Sequence, residues 1–367
     1  FTDDSEITYK EAVDVISALG VVDGYSDGDF RPDDVLTRGA AAKIICNLIL
    51  GPTTASALSA GTAPFKDVPV TNTFAGYITY CSQQGIISGY ADGTFRPTGT
   101  LSGNAFMKML LGALGYDSAV EGYTGPNWSV AVIKQAAGIG LDDGNDEFVG
   151  SKAVTREEAA LYASNMLQAT MVEYDAKTTV NVNGATVTVA GNKAQDKAWG
   201  TATNNDGNID DDGFVQFAEQ YFDKLTLRSV VDSFGRPSNR WANKGVEIGT
   251  YPKTAGASYT ENVTLGTIYA DLGMTDKDEK AEVYVDGVLA SELAKVSKGN
   301  DAKIADLKFA GTDKCSVGNG TLVEAYLDED TNDVTIACIN TYVAEVNKVV
   351  AASGNKDAYI TLSDTTN

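Results

Sequence analysis

Histidine is absent from all 367 residues of this chain. Without imidazole there is no Ser-His-Asp or Cys-His nucleophile system and no histidine metal ligand. Positive charge is scarce as well: 28 lysines and arginines face 50 aspartates and glutamates, a net charge of −22. Both parts share the bias, with 20 acids against 10 bases over residues 1–170 and 30 against 18 beyond them. Such a field repels nucleic-acid phosphates and anionic membrane surfaces, so neither is expected as a partner. No stretch is long and apolar enough to read as a transmembrane span. Cysteine is held to four residues, with no spacing that suggests zinc. Carboxylate chemistry survives these exclusions, but 50 acids without distinctive spacing single out no pair.

What the chain has is repetition. Gly24-Tyr-Ser-Asp-Gly-Asp-Phe-Arg-Pro32 returns sixty-five positions later as Gly89-Tyr-Ala-Asp-Gly-Thr-Phe-Arg-Pro97, seven letters of nine unchanged. An internal repeat this close means one supersecondary unit used more than once. The flanks agree. Ala12, Val13, Ile16 and Leu19 keep helical spacing up to Gly20, and Tyr77, Ile78 and Cys81 take the same places before Gly85. Downstream, the apolar face Ala40, Ala41, Ile44, Ile45, Leu48 is matched by Ala105, Phe106, Met109, Leu110, Ala113. Cys81 lies on a helical face and is expected to be buried, whereas Cys46 stands one position off its own.

A third, worn copy follows. Val130–Ala137 is its first helix and Thr155-Arg-Glu-Glu158 opens its second with a capping box. Its loop, Leu141-Asp-Asp-Gly-Asn-Asp-Glu-Phe148, lacks both the tyrosine and the Arg-Pro pair.

These blocks, with Thr37-Arg38-Gly39-Ala40 at the head of the second helix, resemble the surface-layer homology (SLH) module of Gram-positive cell surfaces. The resemblance spans about the first 170 residues, as modules 1–50, 65–115 and 116–170. It implies a mainly α body of three packed modules with grooves between them. It also implies a secreted, non-enzymatic surface protein held at the cell wall by a secondary cell-wall polysaccharide, often pyruvylated. In the family the Thr-Arg-Ala-Glu motif helps form the groove, which carries over to Thr37 and Arg38 and to Thr155, Arg156 and Glu157. An arginine fork suits a planar ketal carboxylate, and helix N-terminal amides favour an anion. Equally, Thr37 and Thr155 read as N-caps and the arginines as solvated or paired with acids. Tyr25 and Tyr90 read either as sugar-stacking platforms or as module core. Asp27 and Asp92 belong with turn chemistry beside Gly28 and Gly93, and Arg31 and Arg96 with bracing before a proline, though all four are candidate ligand contacts. The second module has Ser102-Gly103 in place of Thr-Arg, so only the first is complete in itself. If neighbouring modules combine their halves, one groove or two would be competent.

After Ala169 helical period gives way to alternation. The fold class is therefore α+β, with a β-rich module over 171–345 and the start of a further, truncated one over 346–367. Phe1 is expected near a processed N-terminus. Strand signals are Thr179–Val182 and Ala185–Val189 around Asn183-Gly184, Ala281–Val285 before Asp286-Gly287, and Leu322–Leu327 with Val334–Ile339. Phe214, Phe217, Tyr221 and Leu225 predict a helix over 214–231. Asn208, Asp210, Asp212 and Glu219 follow the ligand order of a calcium loop, with Gly213 at the sixth place. The alternative is an acidic loop beside a helix N-terminus. Cys315 and Cys338 flank a predicted hairpin, where a disulfide is an option for an exported protein. Two rivals to anchoring stand: a self-assembling lattice or filament subunit with vestigial grooves, and a carboxylate-based glycan-active enzyme in the C-terminal part.

Overall fold

The computed structural model describes residues 1–174, 178–182, 185–189, 193–199, 209–210, 212–261, 263–274, 281–293, 321–328, 331–341, 343–352 and 358–363. It is an α+β protein, helical in its N-terminal part and built of sheets in its C-terminal part. Two compact units divide it: Phe1–Arg228 with Arg240–Gly249, and Ser229–Asn239 with Thr250–Asn367.

The first unit begins with α1 (Lys10–Ala18), α2 (Arg38–Leu50), short α3 (Pro52–Ser56), α4 (Ala75–Gln83), α5 (Gly103–Leu114), α6 (Trp128–Gly138) and α7 (Arg156–Gln168). The second helix of each repeat starts the same way. The hydroxyls of Thr37, Ser102 and Thr155 accept from the amides of Ala40, Ala105 and Glu158, satisfying one orphan donor each. Thr155 and Glu158 complete the expected capping box.

Packing does not follow the order of the repeats. α1 lies on α7, α2 on α4, and α5 on α6, so each repeat's second helix is covered by another repeat's first. Val13, Ile16, Ile45, Ile78, Phe106, Val132 and Tyr162 are buried in these contacts. Cys46, off the face expected from its repeat, is buried because the α2–α4 contact reaches round to it. Its Sγ lies 3.5 Å from that of Cys81.

A ring of backbone hydrogen bonds closes the three repeats on themselves. Leu36 N donates to Val154 O (2.9 Å), Val154 N to Leu101 O (2.9 Å), and Leu101 N to Leu36 O (3.1 Å). Each residue stands just before a helix N-cap, and all three are buried. The ring fixes the three helix starts around one point.

Next come β1 (Val172–Tyr174), β2 (Thr178–Val182), β3 (Ala185–Val189) and β4 (Ala194–Asp196). β1 pairs with β4, and β2 with β3 as the alternation predicts. The helix expected over 214–231 is a correction. Only α8 (Phe217–Tyr221) is helical, and β5 (Leu225–Val231) follows, joined to β6 (Pro237–Asn243) and β7 (Val246–Pro252). Thr226, Val230 and Val231 are β-branched and suit a pleated strand better than a helix.

Beyond these lie β8 (Ala257–Tyr259), α9 (Leu265–Asp271), β9 (Ala281–Val285), β10 (Val288–Leu293), β11 (Thr321–Leu327) and β12 (Val334–Asn340). In the second unit these strands form one sheet in the order β10-β9-β12-β11-β8, parallel only at β12–β9. Leu265, Ile268 and Tyr269 of α9 share its core with Val283, Val323 and Ile336. The β9–β10 and β11–β12 hairpins match the sequence reading, with Asp286 (φ +49°) and Gly287 (φ +81°) turning the first. A separate hairpin, β13 (Val346–Val350) with β14 (Tyr359–Leu362), ends the described chain. Cys338 is buried on β12, and Cys315 lies outside the described residues.

At Gly39, a Cβ would stand 2.6 Å from the Phe74 ring and 3.0 Å from Pro97 O. Gly39→Ala should therefore destabilise the helical body by roughly 1–3 kcal/mol, read as a lower thermal midpoint by circular dichroism at 222 nm.

Candidate functional site: two clefts between repeats

The signature loops are held by three local devices. Gly28 (φ +94°) and Gly93 (φ +82°) take the positive φ that their Asp-Gly turns require. Three residues further on, Arg31 (φ +56°) and Arg96 (φ +60°) are left-handed non-glycine residues before proline, a costly conformation. A carboxylate fork stabilises each: Asp3 accepts from the amides of Phe30 (2.8 Å) and Arg31 (2.6 Å), and Asp67 from those of Phe95 and Arg96 (both 2.7 Å). Burial opposes ionisation of Asp67, yet these amides hold its pKa below the ordinary carboxylate value.

The side chains of Arg31 and Arg96 fold back over Tyr25 and Tyr90, each 4.1 Å from the ring centroid, and pair with Asp27 and Asp92. Both tyrosines remain about 40% exposed, Tyr25 at 40% and Tyr90 at 42%, so neither is module core.

A second arginine, from a different repeat, also reaches each tyrosine. Arg38, the first residue of α2, sits 5.0 Å from Tyr90 and 4.4 Å from Phe95. Its Nε donates to Phe95 O (2.8 Å) and its Nη2 to Ser88 O (3.1 Å). Arg156, the first residue of α7, repeats this on the first loop. It lies 4.9 Å from Tyr25 and 4.8 Å from Phe30, with Nε on Phe30 O and Nη2 on Asp23 O, both 2.9 Å. Burial draws both guanidinium pKa values down from the ordinary level, and both groups stay charged. Backbone carbonyls take the Nε–Nη2 edge of each fork. The end-on edge, Nη1 with the second Nη2 proton, has no protein partner among the described residues.

No repeat therefore builds a cleft alone. Module 1 supplies the arginine for the loop of module 2, and module 3 supplies it for the loop of module 1. The third junction brings Gly103 against Phe148, whose ring would lie 2.8 Å from any Cβ there. Both losses read from the sequence, the missing arginine and the missing tyrosine loop, fall in that one junction. Two junctions are complete.

The Arg38 cleft encloses about 370 Å³ and reaches α5 and α6. There Lys108 Nζ donates to Tyr123 O (2.7 Å) and lies 5.6 Å from the Trp128 ring, its pKa drawn down by burial. The Tyr123 hydroxyl is buried beside it without a protein partner. Lys108, Trp128 and the Asp3/Asp67 pair escaped the sequence reading. The signal for two of these was present, since Lys43 and Lys108 hold the sixty-five-residue spacing and Phe1-Thr-Asp3 recurs as Phe65-Lys-Asp67.

Thr37 and Thr155 serve as N-caps. Glu157, expected among the ligand contacts, is instead buried, and its Oε2 accepts from Thr8 N at 2.9 Å, fastening the start of α1. In the calcium-like segment Asn208 lies outside the described residues. Glu219 is buried and spends both oxygens on the amides of Ile209 and Gln216. Asp210, pushed up to about 6 chiefly by burial, accepts from Asp212 N. Among the described residues no group of three or more acids or cysteines is arranged to hold a metal ion.

The pKa of Asp92 is lowered to about 2, first by the Thr94 hydroxyl and amide and then by Arg96. Its folded pKa lies below the unfolded value of about 3.9. Its stabilising effect is thus complete above that value and is lost as pH falls from about 4 towards 2. The thermal midpoint should drop across that window, and Asp92→Asn should drop less steeply, as read by calorimetry at pH 2 to 5.

The S-layer homology domain family matches residues 1–42 and 64–103. A surface layer protein of Brevibacillus choshinensis is 29% identical over 135 residues, covering 37% of this chain and 12% of the relative. The middle cell wall protein of Brevibacillus brevis is 26% identical over 164 residues, 45% of this chain and 15% of the relative. A cellulosome-anchoring protein of Acetivibrio thermocellus is 39% identical over 74 residues, 20% of this chain and 16% of the relative. The chain thus spans under a sixth of the length of the first two relatives. No helix among the described residues is long and apolar enough to cross a membrane. Residues 1–42 and 64–103 are S-layer homology domains, and the chain that carries them is an SLH-domain protein of the cell surface.

Proposed function

We propose that this surface protein is a non-enzymatic, S-layer-type protein fastened to an anionic, pyruvylated cell-wall polysaccharide through the clefts between its repeats. One observation carries the reading: Arg38 is held at a cleft mouth by neighbouring backbone carbonyls, with the end-on edge of its guanidinium free. That edge matches a planar carboxylate with two charge-assisted bonds. The exposed face of Tyr90 beside it offers an apolar surface to a pyranose ring. Preorganisation matters here, because an arginine already fixed by Phe95 O and Ser88 O loses little side-chain freedom on binding. The names of the relatives, a cell wall protein and an anchoring protein among them, agree with attachment.

A second reading, self-assembly, is favoured by the β13–β14 hairpin, where Val349 and Ile360 are 72% and 56% exposed as a facing pair. Sedimentation velocity would show oligomers that Val349→Lys abolishes if this hairpin joins copies.

For anchoring, the chain should cosediment with purified wall sacculi and lose them after acid extraction of the wall polymer. Arg38→Ala should weaken retention about tenfold or more, the loss of one charged contact of roughly 1.5–3 kcal/mol. Binding that survives extraction, or an Arg38→Ala variant retained like the parent, would refute the assignment.

A further inference from the structure

The two complete clefts share one design but not one charge. Sixty-four or sixty-five residues separate their equivalent positions, so the comparison is position by position. Ser88, whose carbonyl holds Arg38, is replaced in the other cleft by Asp23, whose carbonyl holds Arg156. Gly99, whose carbonyl takes the Arg38 amide, corresponds to Asp34, whose carboxylate accepts from the Tyr25 hydroxyl at 3.3 Å. Thr94 corresponds to Asp29, and Lys66 to Thr2, each change making the Arg156 side more negative. The lysines differ in partner as well. Lys108 turns to a backbone carbonyl and an aromatic face, whereas Lys43 is paired with Asp23 at 3.2 Å.

We propose that the clefts divide the ligand: the Arg38 cleft takes the carboxylate-bearing sugar, and the Arg156 cleft takes uncharged sugar surface only. This rests on the reading that the clefts hold wall glycan and adds which cleft reads the charge. Around Arg38 the cations Arg96, Lys66 and Lys108 outnumber the carboxylates Asp67 and Asp92. Around Arg156, on the same count, five carboxylates (Asp3, Asp23, Asp27, Asp29, Asp34) outnumber the cations Arg31 and Lys43. A carboxylate approaching Tyr25 meets like charge at close range, which disfavours the anion far more than a neutral sugar. The stacking face is unaffected, since Tyr25 and Tyr90 are equally exposed. Selectivity therefore comes from what surrounds the fork and not from the fork.

The test uses the full chain and two probes, a methyl hexopyranoside carrying a 4,6-linked pyruvate ketal and the methyl ester of the same compound. Titration calorimetry should find one site for the acid, weakened about tenfold or more by Arg38→Ala. Ser88→Asp with Gly99→Asp should weaken the acid about tenfold while leaving the ester within about twofold. Asp23→Ser with Asp34→Asn should create a second acid site. Circular dichroism confirms that each variant is folded. Two equal acid sites in the parent, or an acid affinity indifferent to Ser88→Asp with Gly99→Asp, would overturn the division and leave anchoring standing. Failure of both probes to bind, with no cosedimentation, would overturn the two together.

Discussion

Three backbone hydrogen bonds, among Leu36, Leu101 and Val154, set the geometry on which everything else in the helical body depends. Each bond is a modest contribution alone, about 1 kcal/mol. Their importance is positional. They lie one residue before the N-caps Thr37, Ser102 and Thr155, so they bring three helix starts together and aim each across the boundary of its own repeat. The exchanged helix packing, α2 on α4, α5 on α6 and α7 on α1, is the same arrangement seen from the core side. A first helix finds its apolar cover on a neighbour, and a neighbour's loop lies over its partner's arginine.

This explains how the clefts can be rigid although they are made of loops. Arg38 and Arg156 are the first residues of their helices, anchored by caps below and by foreign carbonyls above. The loops are clamped by Asp3 and Asp67, which hold two left-handed arginines in place. Tyr25 and Tyr90 each have two guanidinium groups between 4.1 and 5.0 Å from the ring centroid, and both rings stay partly exposed. The worn junction follows the same logic in reverse. Gly103 and Phe148 stand where the other two junctions have their arginine and their tyrosine-bearing loop.

Much of the local structure was legible in the sequence. Helical spacing, the caps at Thr37 and Thr155, the Asp-Gly turns and the Ala281–Val285 strand all follow from period and turn chemistry, which are properties of neighbouring residues. The arginine and tyrosine of the clefts were legible too, but not their partnership, because Arg38 and Tyr90 meet only through exchanged packing. Spacing within one repeat says nothing about which repeat lies beside it. Cys46 eluded the reading for this reason: its burial depends on a helix thirty residues away. Glu157 shows the opposite error, a motif position whose side chain turns to the amide of Thr8 instead of the cleft. The helix expected over 214–231 gave way because a stripe of aromatics fits two periods, and the β-branched run from Thr226 decides for the strand.

A closed circuit of repeats differs in kind from an open stack. In a solenoid each unit touches only its neighbours, so units are gained or lost singly and the ends need polar covers. Here the last donor, Leu36, is answered by the last acceptor, Val154, and nothing is left over. A fourth copy would have no vacancy to enter, and deleting one would strand a buried amide and bare two helix faces at once. Change in such a body must therefore proceed by substitution within a fixed complement of three, which is the form that the wear at Gly103 and Phe148 takes.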